Sequence, residues 1–136
     1  AYLDGGYIGD AMHKIEIYQK IAAVRDNDQL EAVFGELTDR FGEPPMQVLN
    51  LLDVAKVRNY ARQIGIEKIV QTPMFLEIYF RDTPNIRPEG MLAVSQELKS
   101  ALKVLKERNL MRIALRALAR KRVLDFVLDI VEKLAA

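Results

Sequence analysis

The chain has 136 residues, with 20 Lys and Arg against 19 Asp and Glu, one His and no Cys. This length suits one domain that buries its own core. Without cysteine there is no disulfide, thiol nucleophile or zinc-finger ligand set, and the balanced charge does not support indiscriminate nucleic-acid binding. No apolar run approaches the roughly 20 residues of a membrane span and no signal peptide opens the sequence, so we expect a soluble, cytoplasmic domain.

The first third of the chain predicts two helices. Asp10 follows a lead-in rich in Gly and Tyr and is a candidate cap for a helix that runs to about Val24. After a polar break, Asp28 can cap a second helix, whose apolar side chains recur at helical spacing as far as Phe41. Because the break is short, we expect the two helices to form an antiparallel pair.

The ten residues Glu36–Pro45 combine an ion-paired helix end with a rigid corner. Glu36 and Arg40 are four residues apart in the order that favours pairing on one helix face, and Asp39 lies on the same side. Gly42 can adopt the left-handed conformation that closes a helix. The two prolines that follow restrict the backbone before the next helix starts. The segment therefore predicts a charged helix end followed by a stiff turn.

The middle of the chain changes from helical to alternating periodicity. A wide apolar arc predicts a central third helix from near Pro45 to about Ile64, ended by Gly65. Residues 76–81 alternate apolar and polar side chains, which is typical of a half-buried strand, and residues 66–71 would form its hairpin partner.

The last third predicts helix, strand and helix. Pro88 suits the start of a fourth helix whose apolar repeat continues to about Asn109. Residues 110–119 fit a strand or a helix, and we favour a short strand that pairs with the hairpin. A last helix, apolar on most sides, is predicted at about 121–134. The predicted fold class is α+β in the order α-α-α-β-β-α-β-α, one domain over residues 1–136, with helices packed on a small, mainly antiparallel sheet.

No pattern in the sequence predicts catalysis. A phosphate-binding loop would need closely spaced glycines and usually a lysine. His13 is the only histidine and has no nucleophile or orienting carboxylate beside it, so a structural or solvated role is favoured. Pairs such as Asp26 with Asp28, or Glu36 with Asp39, are better interpreted as helix caps and surface ion pairs than as acid–base dyads. We therefore expect no enzyme activity, cofactor or metal site in this chain.

Charge is unevenly distributed along the chain. Residues 26–43 carry six acids and one base, whereas residues 99–122 carry nine bases and one acid. The acidic stretch favours a protein partner that offers arginines, with a plain solvated face as a nearly equal alternative. The basic stretch could contact nucleic-acid phosphates through Arg112, Arg116, Arg120 and Arg122, although a solvated or protein-contacting role is favoured there.

Three groups of residues resemble one known family. They are Tyr7–Asp10 with Lys14–Tyr18, then Glu36–Pro45, and then Ala61–Ile69 with the paired leucines at 51 and 52 upstream. By these residues the chain resembles the C-terminal domain of bacterial transcription-repair coupling factor, also called Mfd. The resemblance extends over nearly the whole chain and is firm to about Ile69. Lys14 stands where the family is expected to prefer arginine, which preserves the charge.

The resemblance implies that the chain is a fragment of a larger ATP-driven DNA translocase, which displaces stalled RNA polymerase and recruits nucleotide excision repair. It implies a regulatory domain that clamps onto a UvrB-like N-terminal domain of the same protein, hides the surface that recruits UvrA and restrains translocation. Charged residues that contribute to the clamp match Glu36, Asp39 and Arg40. UvrA, RNA polymerase and DNA would be partners of the full-length protein. The alternative is a DNA-binding accessory module that uses the Lys99–Arg122 region.

Overall fold

The computed structural model describes residues 11–135, which form five α-helices, four β-strands and short 3-10 turns. The helices are α1 (Ala11–Ala23), α2 (Asn27–Phe41), α3 (Met46–Ile64), α4 (Pro88–Leu98) and α5 (Val123–Leu134). The strands are β1 (Ile66–Gln71), β2 (Phe75–Phe80), β3 (Leu102–Leu105) and β4 (Leu110–Ala114). None of the described helices has the length and apolarity that a membrane span needs. The chain divides into two compact units, Ala1–Asn59 and Tyr60–Ala136.

The helix α2 begins with a reciprocal pair of caps. Asp26 has extended backbone angles (φ −143°, ψ 170°), and its Oδ1 accepts a hydrogen bond from the Gln29 backbone N–H at 2.8 Å. The Gln29 side chain in turn accepts from the Arg25 backbone N–H at 2.7 Å. These bonds make Asp26 the helix cap, two residues before the predicted cap, Asp28, which instead lies in the first turn. The other predicted cap, Asp10, lies outside the described residues.

The first unit buries an apolar core that is shared by its three helices. The buried side chains are Ile17, Ile21 and Val24 of α1, Leu30 and Leu37 of α2, and Val48, Leu52 and Ala55 of α3. The buried Asn59 side chain donates to Asn27 Oδ1 at 3.3 Å, and the Arg58 guanidinium donates to the Ile21 carbonyl at 3.3 Å. Both bonds join α3 to a neighbouring helix, and they satisfy polar groups at the margin of the core.

The second unit is built around an antiparallel sheet in the strand order β1-β2-β4-β3. On one face of the two central strands, Leu76 pairs with Ile113 and Ile78 with Met111, and all four side chains are buried. On the other face the pair of Glu77 and Arg112 is central. The sheet therefore has an apolar face that belongs to the core and a second face that carries charges.

The helices α4 and α5 approach each other very closely. A Cβ added at Gly90 would overlap the backbone carbonyl group of Lys133. The Arg87 backbone N–H donates to the Leu134 carbonyl at 2.9 Å, and its guanidinium donates to the Lys133 carbonyl at 3.4 Å. The start of α4 thereby caps the last carbonyls of α5. Both helices bury one face: Val94 and Leu98 in α4, and Phe126, Val127, Ile130, Val131 and Leu134 in α5.

The two outer strands are short or irregular. The register of β1 shifts between Ile66 and Lys68, and the side chains of Glu67 and Lys68 are exposed. The strand β3 has only four residues, of which Lys103 and Val104 are exposed. The edges of the sheet therefore differ from its buried, regular centre.

The predicted α+β class is confirmed, and every predicted element occurs in the predicted order. The fourth helix was predicted too long, because it ends at Leu98 and β3 occupies part of the range expected to be helical. Lys99 breaks the helix with φ 51° and ψ −123°, and hydrogen bonding to β4 then holds Leu102–Leu105 as a strand. The strand favoured for residues 110–119 is present as β4, which is followed by a 3-10 turn at Leu115–Leu118. That residues 1–136 form one domain stays a prediction.

Candidate partner-binding site

The end of α2 presents three charged side chains around its buried apolar stripe. Leu37 is completely buried in the core of the first unit, and Val33 and Phe41 pack against that core. At 3.6 residues per turn, Asp39 lies on the outward side, about 160° around the helix from Leu37, whereas Glu36 and Arg40 flank the apolar stripe at about 100° and about 60° from Leu37. Asp39 and Arg40 are exposed and Glu36 is half-buried. The structure thus brings together the three residues that the sequence predicted for partner binding.

Glu36 is held by two cations from different helices. Lys20 of α1 donates to Glu36 Oε1 with Nζ 2.6 Å away, whereas Arg40 Nη1 lies 3.5 Å from the same oxygen. The hydrogen bond from Lys20 is the main cause that lowers the pKa of Glu36 below its ordinary value. Burial opposes it as the next largest effect, and the charges of Lys20 and Arg40 lower the pKa further. Glu36 is therefore an ordered carboxylate that stays ionised at neutral pH.

Lys20 is a site residue that the sequence did not predict. Its distance from Glu36 in the chain is 16 residues, and the pair forms only because α1 packs on α2. A pattern within one helix cannot reveal such a contact. The predicted pair of Glu36 with Arg40 is present but longer, so Lys20 is the stronger partner of the carboxylate.

Arg40 is positioned by an aromatic ring as well as by Glu36. Its Cζ atom lies 5.0 Å from the centroid of the Phe41 ring, within the range of a cation–π contact. The Phe41 ring also lies near His13, with ring centroids 6.4 Å apart and planes tilted by 58°. His13 is half-buried beside this aromatic ring, and the structural or solvated role favoured for it stays a prediction.

The corner after α2 has the closing glycine and the proline-led helix start that the sequence predicted. Gly42 has φ 83°, and its backbone N–H donates to the Thr38 carbonyl at 2.9 Å. Pro44 is buried, and the Pro45 carbonyl accepts from the N–H groups of Val48 and Leu49 at 3.1 and 3.0 Å. These contacts fix the start of α3 directly after the charged helix end. The corner therefore acts as a scaffold for the neighbouring charges.

The basic residues predicted for nucleic-acid contact lie in the second unit and differ in their surroundings. Arg112 Nε donates to Glu77 Oε2 at 3.0 Å, and its Cζ lies 5.2 Å from the Phe75 ring centroid. Arg122 donates to both carboxylate oxygens of Asp125, at 3.0 and 3.1 Å, which lowers the pKa of Asp125. Two of the four arginines are thus neutralised by a partner carboxylate.

The other two arginines, Arg116 and Arg120, are exposed. Arg116 lines a groove together with Arg112, whereas Arg120 and Arg122 are not part of its lining. The four arginines predicted as one basic surface are therefore not equivalent. Between residues 11 and 135, no group of three or more His, Cys, Asp or Glu side chains is placed to hold a metal ion.

The fold and the charged helix end define a small α+β protein that carries a candidate protein-binding surface. Residues 1–91 match the family model described as TRCF domain. The chain is 35% identical over 117 residues to the transcription-repair-coupling factor of Staphylococcus epidermidis and 34% identical to that of Staphylococcus aureus. Each alignment covers 85% of this chain and 10% of the relative. The chain therefore spans about a tenth of the length of the curated relatives that it matches.

A solved structure gives the same result at the level of fold. The crystal structure of the C-terminal domain of transcription-repair coupling factor aligns with a TM-score of 0.70 and 27% identity, over 98% of this chain and 85% of that chain. The chain belongs to the transcription-repair coupling factor family. The resemblance noted from the sequence is thereby confirmed, and the part of the family that the chain matches is the C-terminal domain.

Proposed function

We propose that this chain is a noncatalytic regulatory domain of a transcription-repair coupling factor, and that it restrains the translocase by an intramolecular contact. The contact surface is the end of α2 with Glu36, Asp39 and Arg40, and the partner is the UvrB-like N-terminal domain of the same protein. The observation that carries the proposal is the half-buried Glu36 carboxylate, held by Lys20 and Arg40 at the charged end of α2.

The geometry at Glu36 suits recognition of a guanidinium group. Lys20 and Arg40 both contact Oε1, and a carboxylate can accept further hydrogen bonds through its second oxygen. A partner arginine could therefore join the existing pair without breaking it. Asp39 offers a second carboxylate on the same exposed side, and Arg40 can meet an acid of the partner.

The strength of such a contact fits a reversible restraint. Exposed ion pairs contribute about 0 to 1 kcal/mol each. A contact between two parts of one chain needs little intrinsic affinity, because the effective concentration is high. Binding of RNA polymerase elsewhere on the protein could then open the contact and release both the translocase and the surface that recruits UvrA. These partners, and contact with DNA in the cytoplasm, belong to the full-length protein in this proposal.

The test is a charge reversal in the full-length translocase. We expect Glu36→Lys to raise the ATPase rate without polymerase and to increase UvrA binding, because the carboxylate that meets the partner is lost. Glu31→Lys is the matched control, since Glu31 is exposed on the same helix but about 140° around it from Glu36. Unchanged ATPase and UvrA binding in a folded Glu36→Lys protein would contradict the proposed contact.

The alternative, a DNA-binding module over the Lys99–Arg122 region, has weaker support. Arg112 and Arg122 already pair with Glu77 and Asp125, so fewer of the predicted phosphate contacts are available. Nonspecific DNA binding depends on several free cations and weakens steeply with salt. Titration of the chain with duplex DNA at low and moderate salt separates the two functions, because only the alternative predicts salt-sensitive binding that Arg116→Glu and Arg120→Glu both reduce.

A further inference from the structure

A groove of about 570 Å³ opens in the second unit, at one end of the charged face of the sheet. We name it the basic groove. Its lining consists of Pro73, Met74, Phe75, Ser100, Ala101, Lys103, Arg112, Ala114, Leu115 and Arg116. The turn between β1 and β2 forms one wall, and the 3-10 turns after α4 and β4 contribute the others. The groove has both apolar and cationic walls, and it belongs to a different unit from the surface on α2.

The apolar wall is exposed and firmly held. The Thr72 backbone N–H donates to the Phe75 carbonyl at 2.8 Å, and the Phe75 N–H donates to Thr72 Oγ1 at 3.0 Å. The Leu115 N–H donates to the Met74 carbonyl at 2.9 Å, which ties the hairpin turn to the 3-10 turn that follows β4. Met74 is nevertheless 70% exposed. A large apolar side chain displayed on a hydrogen-bonded turn is typical of a prearranged contact point.

The cationic wall consists of Lys103, Arg112 and Arg116, and no Asp or Glu is among the residues that line the groove. Glu77 neutralises Arg112, which also stacks on the Phe75 ring at 5.2 Å. Lys103 and Arg116 are exposed and give the groove its remaining positive charge. Two cations beside the apolar wall are complementary to a ligand that carries acids next to an apolar side chain.

Two backbone positions that flank the groove have conformations that L-residues rarely adopt. Lys99 has φ 51° and ψ −123° just before Ser100 and Ala101, and Ala119 has φ 52° and ψ −117° after the turn that carries Arg116. Such conformations cost about 1 to 3 kcal/mol each and are concentrated at binding sites. The walls of the groove are thus held in place at the expense of local backbone strain.

We propose that the basic groove binds an acidic segment of a protein partner, with a leucine-sized side chain over Met74 and Phe75 and carboxylates at Lys103 and Arg116. The apolar wall favours a peptide over nucleic acid, because a phosphate backbone would leave Met74 without a contact. The neutralised Arg112 also leaves only two free cations, whereas tight nucleic-acid binding commonly involves about 6 to 10 phosphate contacts. An aromatic ring, an arginine and a methionine are residue types enriched in protein interfaces.

Fluorescence anisotropy on the whole chain tests the proposal with three labelled probes: a peptide alternating glutamate with leucine, the same peptide with serine for leucine, and duplex DNA. We expect the leucine peptide to bind at least tenfold more tightly than the serine peptide and than DNA at moderate salt. Arg116→Glu should weaken binding of the leucine peptide about tenfold, and Met74→Ser should weaken it several-fold. Arg120→Glu is the matched control and should change binding less than twofold, because Arg120 is exposed outside the groove.

The changed side chains are exposed, so the variants are expected to fold, and thermal unfolding checks this. Should Arg116→Glu not fold, Lys103→Glu provides the same charge reversal at the second exposed cation of the groove and is expected to weaken binding of the leucine peptide similarly. The proposal would be overturned if the leucine peptide did not bind, if it bound no more tightly than the serine peptide, or if DNA bound more tightly than the leucine peptide. It would also be overturned if Arg120→Glu weakened binding of the leucine peptide as much as Arg116→Glu.

Discussion

The Cα atom of Gly90 in α4 lies so close to the backbone carbonyl of Lys133 in α5 that position 90 has no room for a side chain. Because the obstacle is backbone, it cannot rotate away as a flexible side chain would. We therefore expect Gly90→Ala to lower the free energy of unfolding by about 3 kcal/mol, measured by urea denaturation. Gly35→Ala in α2 is the control. A Cβ there has nothing within 4 Å, and this change should raise stability by about 1 kcal/mol.

The strained backbone at Ala119 predicts a stabilising substitution. Glycine adopts φ 52° and ψ −117° more easily than alanine, so Ala119→Gly should raise the free energy of unfolding by about 1 kcal/mol despite its extra entropy in the unfolded chain. Ala93→Gly within α4 should have the opposite effect and lower it by about 1 kcal/mol. If both changes destabilise the chain in urea denaturation, the backbone at Ala119 is not strained.

The pair of Glu77 and Arg112 lies in a largely covered part of the sheet, with side chains 12% and 27% exposed. Arg112→Met would leave the Glu77 carboxylate without its guanidinium partner, and we expect a loss of about 2 kcal/mol in the free energy of unfolding. The double change Glu77→Leu with Arg112→Met should recover most of this loss, because no charge then remains unpaired. A double-mutant cycle in urea measures the coupling, and additive losses would contradict it.

The pH dependence at Glu36 follows from the direction of its shift. Its pKa in the folded chain is lowered from 4.5, mainly by the hydrogen bond from Lys20. A depressed pKa stabilises the folded chain above the unfolded value, and this contribution is lost as the pH falls through the folded value. Titration of the Glu36 carboxyl by NMR should give a pKa below 4.5 that rises in Lys20→Met and rises less in Arg40→Met. A larger rise of the pKa in Arg40→Met would show that Arg40, and not Lys20, is the main cause of the lowered pKa.

The order of elements could be predicted from the sequence, whereas one strand could not. Leu98, Leu102 and Leu105 are spaced by four and three residues, a pattern that also fits a helix. The structure makes Leu102–Leu105 a strand because β4 supplies backbone partners for it. Such pairing depends on a segment later in the chain, and local periodicity does not contain it.

In the candidate site, too, contacts within one helix or turn could be predicted from the sequence, whereas a contact between two helices could not. The i,i+4 pair of Glu36 with Arg40 was predicted from spacing, and the rigid corner from Gly42 and the prolines. Lys20 could not be assigned to Glu36, since the contact needs the packing of two helices. The correct start of α2 could have been predicted from the sequence, because Asp26 and Gln29 have the three-residue spacing of a capping box.

The irregular outer strands have a consequence for work on the isolated chain. An exposed strand edge is a template on which a second copy can add its own strand, and long, flat, apolar edges are the most hazardous. Here one edge is interrupted at Ile66/Lys68 and the other is only four residues long, and each carries an exposed lysine, Lys68 or Lys103. These edges therefore resist aggregation by strand addition, which favours measurements of binding and stability on separate copies of the chain.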